Sequence, residues 1–376
     1  MSAAGKHSQP YPWEQRKPKN YLRESRILGS TGVDAKKLTV KLWGKGVVEK
    51  KESISGSSNT RYYIRHAGQL MYGKLDFLHA AFGIVPKELD KYESTADSPA
   101  FDIIDGNPKF LLESFLRKEF YLRNGQRANG SRKAKRIHEK DFLEMPILVP
   151  YKSEQTKIGN LINSLDKTIT LHEEQHRQLE RLKKALLQKM FADETGYPAL
   201  RFKGFTAKWE QRKLGETVVN IVAGGDINKA ELLSKGKYPV YANALTNNGI
   251  VGYYASQYRI AAPAVTVTGR GDIGIAKARD INFTPVVRLL AISSQHNNYF
   301  LENLINTHRS FAESTGVPQL TVPQLSNYKL YFPQKINEEV FIGKLFKKMD
   351  HLTTLHQHKI DNLKRLKRAL LQKMFV

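Results

Sequence analysis

The 376-residue sequence contains no cysteine, which excludes disulfide bonds, thiolate zinc sites and cysteine nucleophiles. It also lacks any apolar run of the about 18 residues that a membrane-spanning helix needs. Its amino terminus, MSAAGKHSQPYPWEQRK, has no apolar segment of the kind found in secretion signals. These absences predict a soluble, cytoplasmic protein.

Acidic residues are scarce relative to basic ones. The chain has 36 Asp and Glu against 60 Lys and Arg, a formal net charge of +24. Such a surplus favours a polyanionic partner. Nucleic acid is favoured over an anionic membrane because no basic amphipathic segment stands next to an apolar anchor. A basic surface that serves only solubility is the alternative.

An internal repeat organises the chain. Residues Ile158–Phe191 align without a gap on Ile342–Phe375, and both copies end in ALLQKMF. The pentapeptide WEQRK at Trp13–Lys17 returns at Trp209–Lys213. The order is therefore variable segment, helical segment, variable segment, helical segment.

The two helical segments carry apolar residues mostly at alternating steps of four and three, the spacing of coiled coils. His172 and His356 occupy equivalent places in this pattern. Polar residues there usually fix the register of the helices, so we favour that role over a metal site. The predicted helix-to-helix contacts are Ile158, Ile162, Leu165, Ile169 and Leu179 in the first helix, and Ile342, Phe346, Met349, Ile360 and Leu363 in the second.

The variable segments mix short β-branched and aromatic runs with glycine-rich turns, and each contains one helical stretch, near Pro108–Phe120 and Tyr299–Asn306. The predicted fold class is α+β, with two globular α/β domains separated by two long antiparallel coiled-coil helices in a pseudo-twofold repeat. The predicted boundaries are 1–152 and 193–335 for the globular domains, and 153–192 and 336–376 for the helices.

Gly269, Gly271 and Gly274 form a G-x-G-x-x-G pattern directly after a β-branched run. A dinucleotide site would need a long helix to begin at the third glycine. Asp280, Asn282 and Pro285 break any such helix early. We therefore predict a tight turn between two strands.

Other catalytic patterns are weak or missing. The segment Asn107–Phe110, NPKF, resembles the strand-end motif of amino methyltransferases, but it lacks the second proline and no S-adenosylmethionine turn precedes it. There is no Walker A sequence and no H-E-x-x-H. We expect no catalytic residue, cofactor or metal in this chain.

Basic and amide side chains in loops are the predicted DNA contacts, since Arg and Lys bind phosphate or guanine, and Asn suits adenine. Alignment of the two WEQRK copies places Lys74 opposite Arg270, each after a glycine. Solvated surface loops are the alternative for all of these residues. The set is Tyr72, Lys74, Arg123, Arg127, Arg132, Lys133, Arg136, Asn243, Asn247, Arg270, Lys277 and Arg309.

The tandem plan, the paired ALLQKMF ends, the segment ALRFKGFTAKWEQRKLGE and the DFLEMPILVP and LSNYKLYFP segments before the helices resemble the specificity subunit of type I restriction–modification systems. The first WEQRK departs from the pattern, because KHSQPYP replaces the usual LRFKGF lead-in. The likeness covers nearly the whole chain.

This resemblance implies a DNA-binding adaptor with two target recognition domains, each reading one half of a bipartite, asymmetric site in double-stranded DNA. The helices would set the unread spacer and dock two modification subunits, which use S-adenosylmethionine to methylate adenine. Restriction subunits would bring ATP and Mg²⁺. The alternatives are a basic coiled-coil scaffold and a stand-alone methyltransferase or nuclease.

Overall fold

The computed structural model describes residues 13–51, 59–126, 136–244, 246–308 and 319–375. The chain forms two compact units. Unit 1 comprises Met1–Leu171 and Asp361–Val376, and unit 2 comprises His172–Ile360. Within the described ranges, no helix is long and apolar enough to cross a membrane.

Unit 1 combines short strands with three short helices and parts of two long ones. Its strands are β1 (Glu14–Arg16), β2 (Leu22–Ser25), β3 (Ile27–Thr31), β4 (Leu38–Val40), β5 (Val47–Glu49), β6 (Arg61–Ile64), β7 (Leu70–Tyr72), β8 (Phe82–Ile84), β9 (Glu93–Ser94), β10 (Ala100–Ile103) and β11 (Ile147–Val149). Its helices are α1 (Pro108–Phe115), α2 (Lys118–Gly125), α3 (Glu139–Leu143), the first part of α4 (Lys152–Met190) and the last part of α8 (Ile336–Met374).

Unit 2 has the same kind of composition. Its strands are β12 (Glu210–Lys213), β13 (Asn220–Ala223), β14 (Tyr238–Tyr241), β15 (Ile250–Tyr254), β16 (Ala264–Thr268), β17 (Ala276–Arg279), β18 (Thr284–Pro285), β19 (Leu289–Ser293) and β20 (Lys329–Phe332). Its helices are the end of α4, α5 (Leu214–Thr217), α6 (Asn298–Thr307), α7 (Val322–Ser326) and most of α8 (Ile336–Met374).

The same sheet lies at the centre of both units, which confirms the predicted internal repeat. Unit 1 has a four-stranded sheet of order β2-β10-β7-β8, and unit 2 has one of order β13-β19-β16-β17. All neighbours in both sheets are antiparallel. In each unit the WEQRK strand pairs with the strand that precedes a long helix, β1 with β11 and β12 with β20.

The two long helices are 39 residues each, which confirms the strongest prediction from apolar spacing. Their first turns contribute to the globular cores. Ile158 and Ile162 lie in the main core of unit 1, and Ile342 and Phe346 lie in that of unit 2. These four residues therefore pack into the globular cores, a role in addition to the helix-to-helix contacts predicted from their spacing.

The remaining predicted seam residues face inward along the helices. Ile169, Met349 and Ile360 are buried, whereas Leu165, Leu179 and Leu363 are half-buried. Apolar side chains at these steps thus lie on one face of each helix, as the pattern requires.

The NPKF segment begins a helix. The Asn107 side chain accepts a hydrogen bond from the Phe110 backbone N–H at 3.0 Å, and Pro108 occupies the first helical position, where its missing N–H costs nothing. The single helix predicted over Pro108–Phe120 is two helices, because Arg117 adopts an extended conformation between α1 and α2.

Candidate nucleic-acid interface

The glycine-rich segment Gly269–Gly274 is the turn of a hairpin that joins β16 to β17. The two strands are antiparallel, with Val267 opposite Ala276. No helix begins at the third glycine, so the geometry of a dinucleotide-binding turn is absent. The prediction of a tight turn between strands is confirmed.

Backbone geometry explains the glycines of this turn. Gly271 and Gly274 have φ of +76° and +77°, where side chains are disfavoured. Gly269 is needed for space, since a Cβ atom there would lie 2.3 Å from the carbonyl oxygen of Arg288. The side chain of Arg270, which follows, is exposed.

A second loop, residues 242–249, is tied to this hairpin by Asn243. The Asn243 side-chain oxygen accepts a hydrogen bond from the Gly269 N–H at 2.8 Å, and its amide nitrogen donates to the Val287 carbonyl oxygen at 3.3 Å. Both groups of this half-buried amide are occupied. The placement favours a positioning role for Asn243 over the predicted DNA contact.

The tip of that loop has an unusual backbone. Asn247, Asn248 and Gly249 have φ of +49°, +53° and +79°. The Asn247 side chain donates to the Ile250 carbonyl oxygen at 3.1 Å. The exposed Asn248 amide makes no hydrogen bond to any residue that the structure describes. The loop therefore presents one uncommitted amide to solvent.

Arg279 lies beneath this tip and is 6% exposed. Its Nε atom donates to Thr266 Oγ1 at 3.0 Å, and its Nη1 atom donates to the Asn248 carbonyl oxygen at 3.1 Å. The guanidinium carbon lies 3.6 Å from the centre of the Tyr241 ring, a cation–π distance. Burial lowers the pKa of Arg279, and neighbouring Tyr241 opposes that shift.

Lys277, on strand β17, is half-buried and its ammonium lies 3.3 Å from a Glu302 carboxylate oxygen. Glu302 also accepts a hydrogen bond from the Ala278 N–H at 3.1 Å. The ion pair links the Lys277 side chain to helix α6, which carries Glu302. Since 45% of its side chain stays accessible, a contact with phosphate is sterically open.

In unit 1 the structure corrects two predicted contacts. Tyr72 is fully buried and its hydroxyl donates to the Ile137 carbonyl oxygen at 3.0 Å. Lys74 is 7% exposed and its ammonium lies 2.8 Å from Glu139. Burial raises the pKa of Glu139, but the hydrogen bonds from Lys74 and the backbone and the charges of Lys74 and Arg26 together lower that pKa below its usual value. Both side chains are committed to contacts inside the fold.

Other predicted contacts of unit 1 lie at the surface. Arg123 is exposed on helix α2, and Arg136 is exposed with its Nε atom 3.5 Å from Asp97. These two remain predictions. Four further predicted contacts lie outside the described residues: Arg127, Arg132, Lys133 and Arg309.

The two equivalent histidines of the repeat meet within unit 2. The Nδ1 atoms of His172 and His356 lie 3.1 Å apart, the distance of a hydrogen bond that needs one protonated and one unprotonated nitrogen. Burial lowers the pKa of His172, and the charge of Lys359 and His356 adds to the shift. Among the described residues, no group of three or more His, Asp or Glu is arranged to hold a metal ion.

One ion pair occurs once in each unit. In unit 1, Asp166 contacts Lys367 and Lys109, both at 2.7 Å. In unit 2, the repeat equivalents Asp350 and Lys183 form the same pair. Burial opposes ionisation of Asp166, but the two lysines lower its pKa. Each pair links α4 to α8 inside one unit, and the two helices run antiparallel there.

An aromatic cluster also recurs. In unit 1, Phe110 stacks on Phe375 with ring centres 5.2 Å apart, and Trp13 meets both rings edge-on. In unit 2 the corresponding rings are Phe300, Phe191 and Trp209. The repeated ALLQKMF motif thus ends in a phenylalanine that packs into a core, and the repeated WEQRK begins with the tryptophan that meets it.

The LRFKGF lead-in of the second copy anchors the start of α8. The Arg201 guanidinium contacts both carboxylate oxygens of Glu338, at 2.8 and 2.7 Å. Trp209 Nε1 donates to the same carboxylate at 3.3 Å. Glu338 is 2% exposed, so this buried charge is fully paired.

Neither Asn248 nor Arg279 is among the DNA contacts predicted from the sequence. Asn248 had a signal, since it belongs to the TNNG run Thr246–Gly249, which is typical of left-handed turns. Arg279 had none, because its burial depends on strand pairing with β16, which joins residues more than ten positions apart in sequence.

Residues 206–365 match the family model described as type I restriction modification DNA specificity domain. The chain is 23% identical over 309 residues to type I specificity subunit S.MpnORF507P of Mycoplasma pneumoniae, a match that covers 77% of this chain and 81% of that protein. Residues 206–365 therefore carry a type I restriction modification DNA specificity domain. The resemblance read from the sequence is confirmed.

The chain is similar to two further proteins. It is 27% identical over 82 residues to the C-terminal part of a second M. pneumoniae type I specificity subunit, S.MpnORF289P, a match that covers 21% of this chain and 57% of that protein. In fold it is similar to the crystal structure of the type I restriction–modification S subunit from M. genitalium. The TM-score is 0.71 at 16% identity, over 100% of this chain and 99% of that chain.

Proposed function

We propose that this specificity subunit reads double-stranded DNA with both of its units, each recognising one half of a bipartite, asymmetric site. The observation that carries the proposal is the repeated four-stranded sheet, which in each unit supports differently built loops. Two copies of one scaffold with different exposed side chains are suited to reading two different sequences.

The charge of the chain supports DNA as the partner. A net charge of +24 favours binding to phosphate, and such binding weakens steeply as salt rises because counterions are released. Phosphate contacts would position the protein, and base contacts would supply the specificity.

The chain would act without catalysing a reaction itself. Two modification subunits would bind along α4 and α8 and use S-adenosylmethionine to methylate adenine, and restriction subunits would use ATP and Mg²⁺. The two helices would also set the length of the unread spacer. The resemblance to type I systems supports these assignments.

Methylation mapping of the host genome, with this gene present and deleted, tests the proposal. We expect deletion to remove methyladenine from one bipartite motif, in both halves. Replacing residues 193–335 with the same segment of another specificity subunit should alter one half only. A change in both halves would contradict the assignment of one half-site to each unit.

Two outcomes would favour the alternatives. If the purified chain alone methylated or cut DNA, a non-catalytic role would be wrong. If the chain bound random and target duplexes with equal affinity, it would be a basic scaffold.

A further inference from the structure

We propose that Asn248 reads an adenine in the major groove for unit 2, and that buried Arg279 is the positioning residue that holds the Asn247–Asn248 turn in its reading conformation. The proposal rests on the proposed function, because it names the base that one surface of unit 2 would recognise.

The first argument is the backbone of the turn. Asn247 and Asn248 have φ of +49° and +53°, the left-handed region that residues other than glycine seldom enter. Two such residues in succession persist only where their surroundings impose the conformation. Asparagine is among the residues that tolerate this region best, and an exposed turn has no packing reason to adopt it.

The second argument is what imposes the conformation. The Arg279 guanidinium donates to the Asn248 carbonyl oxygen at 3.1 Å, and Thr266 and the Tyr241 ring fix the guanidinium in turn. At the base of the loop, the Ala242 N–H donates to the Gly249 carbonyl oxygen at 2.8 Å. The turn is thus anchored from below by a side chain that solvent barely reaches.

The third argument is the free amide. Asn247 uses its side-chain nitrogen on the Ile250 carbonyl oxygen, whereas the Asn248 amide is exposed and uncommitted within the described residues. An amide offers a donor and an acceptor side by side, which match N7 and the N6 amino group of adenine in the major groove. Asn248 is therefore the reading residue of the pair.

The same surface carries a cation. Asn243 ties this loop to the hairpin that bears exposed Arg270, through the 2.8 Å hydrogen bond to Gly269. Arg270 is available for a neighbouring phosphate or guanine. An amide and a guanidinium on two linked loops form a unit suited to base recognition, with Arg279 as its support.

Selection from a randomised DNA duplex library by the purified full-length chain, followed by sequencing of the bound fraction, tests the proposal. We expect Asn248→Ala to abolish an adenine preference at one position of one half-site and to weaken binding to the wild-type motif roughly 5- to 150-fold. The other half-site should be unchanged. Asn163→Ala, at an exposed asparagine on α4, is the matched control and should select the wild-type motif.

Arg279→Lys tests the positioning role, since lysine keeps the charge but lacks the planar fork. We expect it to blur the same base position as Asn248→Ala, with other positions of the motif retained; general misfolding would instead weaken the whole half-site. If Arg279→Lys does not fold, Asn248→Ala still decides the assignment of the adenine.

Two results would overturn the proposal, and they differ. A bipartite motif selected by wild type and unchanged in Asn248→Ala would refute the reading role alone. Selection of no motif by the wild-type chain would refute both this inference and the proposed function.

Discussion

The substitution Gly343→Ala tests whether packing against α6 or intrinsic helix propensity decides the stability of the start of helix α8. An ideal Cβ atom at position 343 would lie 1.9 Å from the Oδ1 atom of Asn297. Ordinary van der Waals contact begins at 3.4 Å, so the two groups must separate by 3.4 − 1.9 = 1.5 Å. Asn297 cannot simply give way, because it caps α6 through the N–H groups of Tyr299 and Phe300 at 3.1 and 3.0 Å.

Three contributions decide the magnitude. Replacing a helical glycine by alanine ordinarily stabilises by about 1 kcal/mol. Loss of the Asn297 cap costs about 1 kcal/mol, and overpacking against a buried contact costs roughly 1–3 kcal/mol. The sum is a net destabilisation of about 1–3 kcal/mol, opposite in sign to the propensity effect.

Thermal unfolding, followed by the fluorescence of buried Trp209, measures this destabilisation in unit 2. For a unit of this size, about 1–3 kcal/mol lowers Tm by roughly 2–12 °C. Asn297→Gly removes the obstructing side chain at a cost of a few tenths of a kcal/mol. In that background, Gly343→Ala should become neutral or stabilising.

Unit 1 offers a matched control. A Cβ atom at Gly159 would lie 1.9 Å from Asn107 Oδ1, so Gly159→Ala should destabilise as Gly343→Ala does. A rise in Tm for Gly343→Ala with Asn297 intact would refute the reasoning, because it would show that propensity dominates at this helix start.

Three further predictions concern charged groups. Lys74→Met leaves buried Glu139 with only the more distant guanidinium of Arg26, at 3.7 Å, as an ionic partner, and we expect unit 1 to lose up to about 3 kcal/mol in urea unfolding at neutral pH; because the folded pKa of Glu139 is lowered, the loss should shrink as acid protonates it, and a loss that does not depend on pH would contradict the ion pair. The pKa of His172 is lowered, so wild-type stability should fall as pH drops below about 6.5, and His172→Gln should flatten that part of the profile; an unchanged profile would rule out His172 as its source. Glu338→Ala leaves the Arg201 guanidinium without its carboxylate partner and should lower the urea midpoint of unit 2 more than the double variant Glu338→Ala, Arg201→Ala does; equal midpoints would contradict this reasoning, because they would show that the guanidinium carries no penalty once its partner is removed.

The repeated elements were predictable because their signals are local and periodic. Apolar steps of four and three placed the two helices, which begin at Lys152 and Ile336. The break at Asp280 and Pro285 showed that the glycine-rich segment could not open a long helix. In both cases the deciding residues lie close together in sequence.

The candidate site was less predictable because it depends on which charges become buried. Lys74 and Arg270 look alike in sequence, each after a glycine, yet Glu139 from helix α3 neutralises Lys74 inside the fold. Nothing in the sequence around Arg279 distinguishes it from other strand residues, although its side chain supports the loop tip. Such pairings join distant segments and need the tertiary structure.

The two units differ in the residues proposed to recognise DNA and agree in the residues that support the fold. Three features recur in both units, because in each unit a long helix packs on an equivalent core. They are the glycine that packs against an asparagine cap, the Asp–Lys pair between the helices and the aromatic cluster. At the end of β7 and β16, however, the equivalent residues Lys74 and Arg270 differ in role, one buried and paired, the other exposed. Basic charge at a repeated position is therefore a poor sign of DNA contact. A better sign is an exposed side chain on a loop that differs between the units and is anchored from the core, as Asn248 is by Arg279.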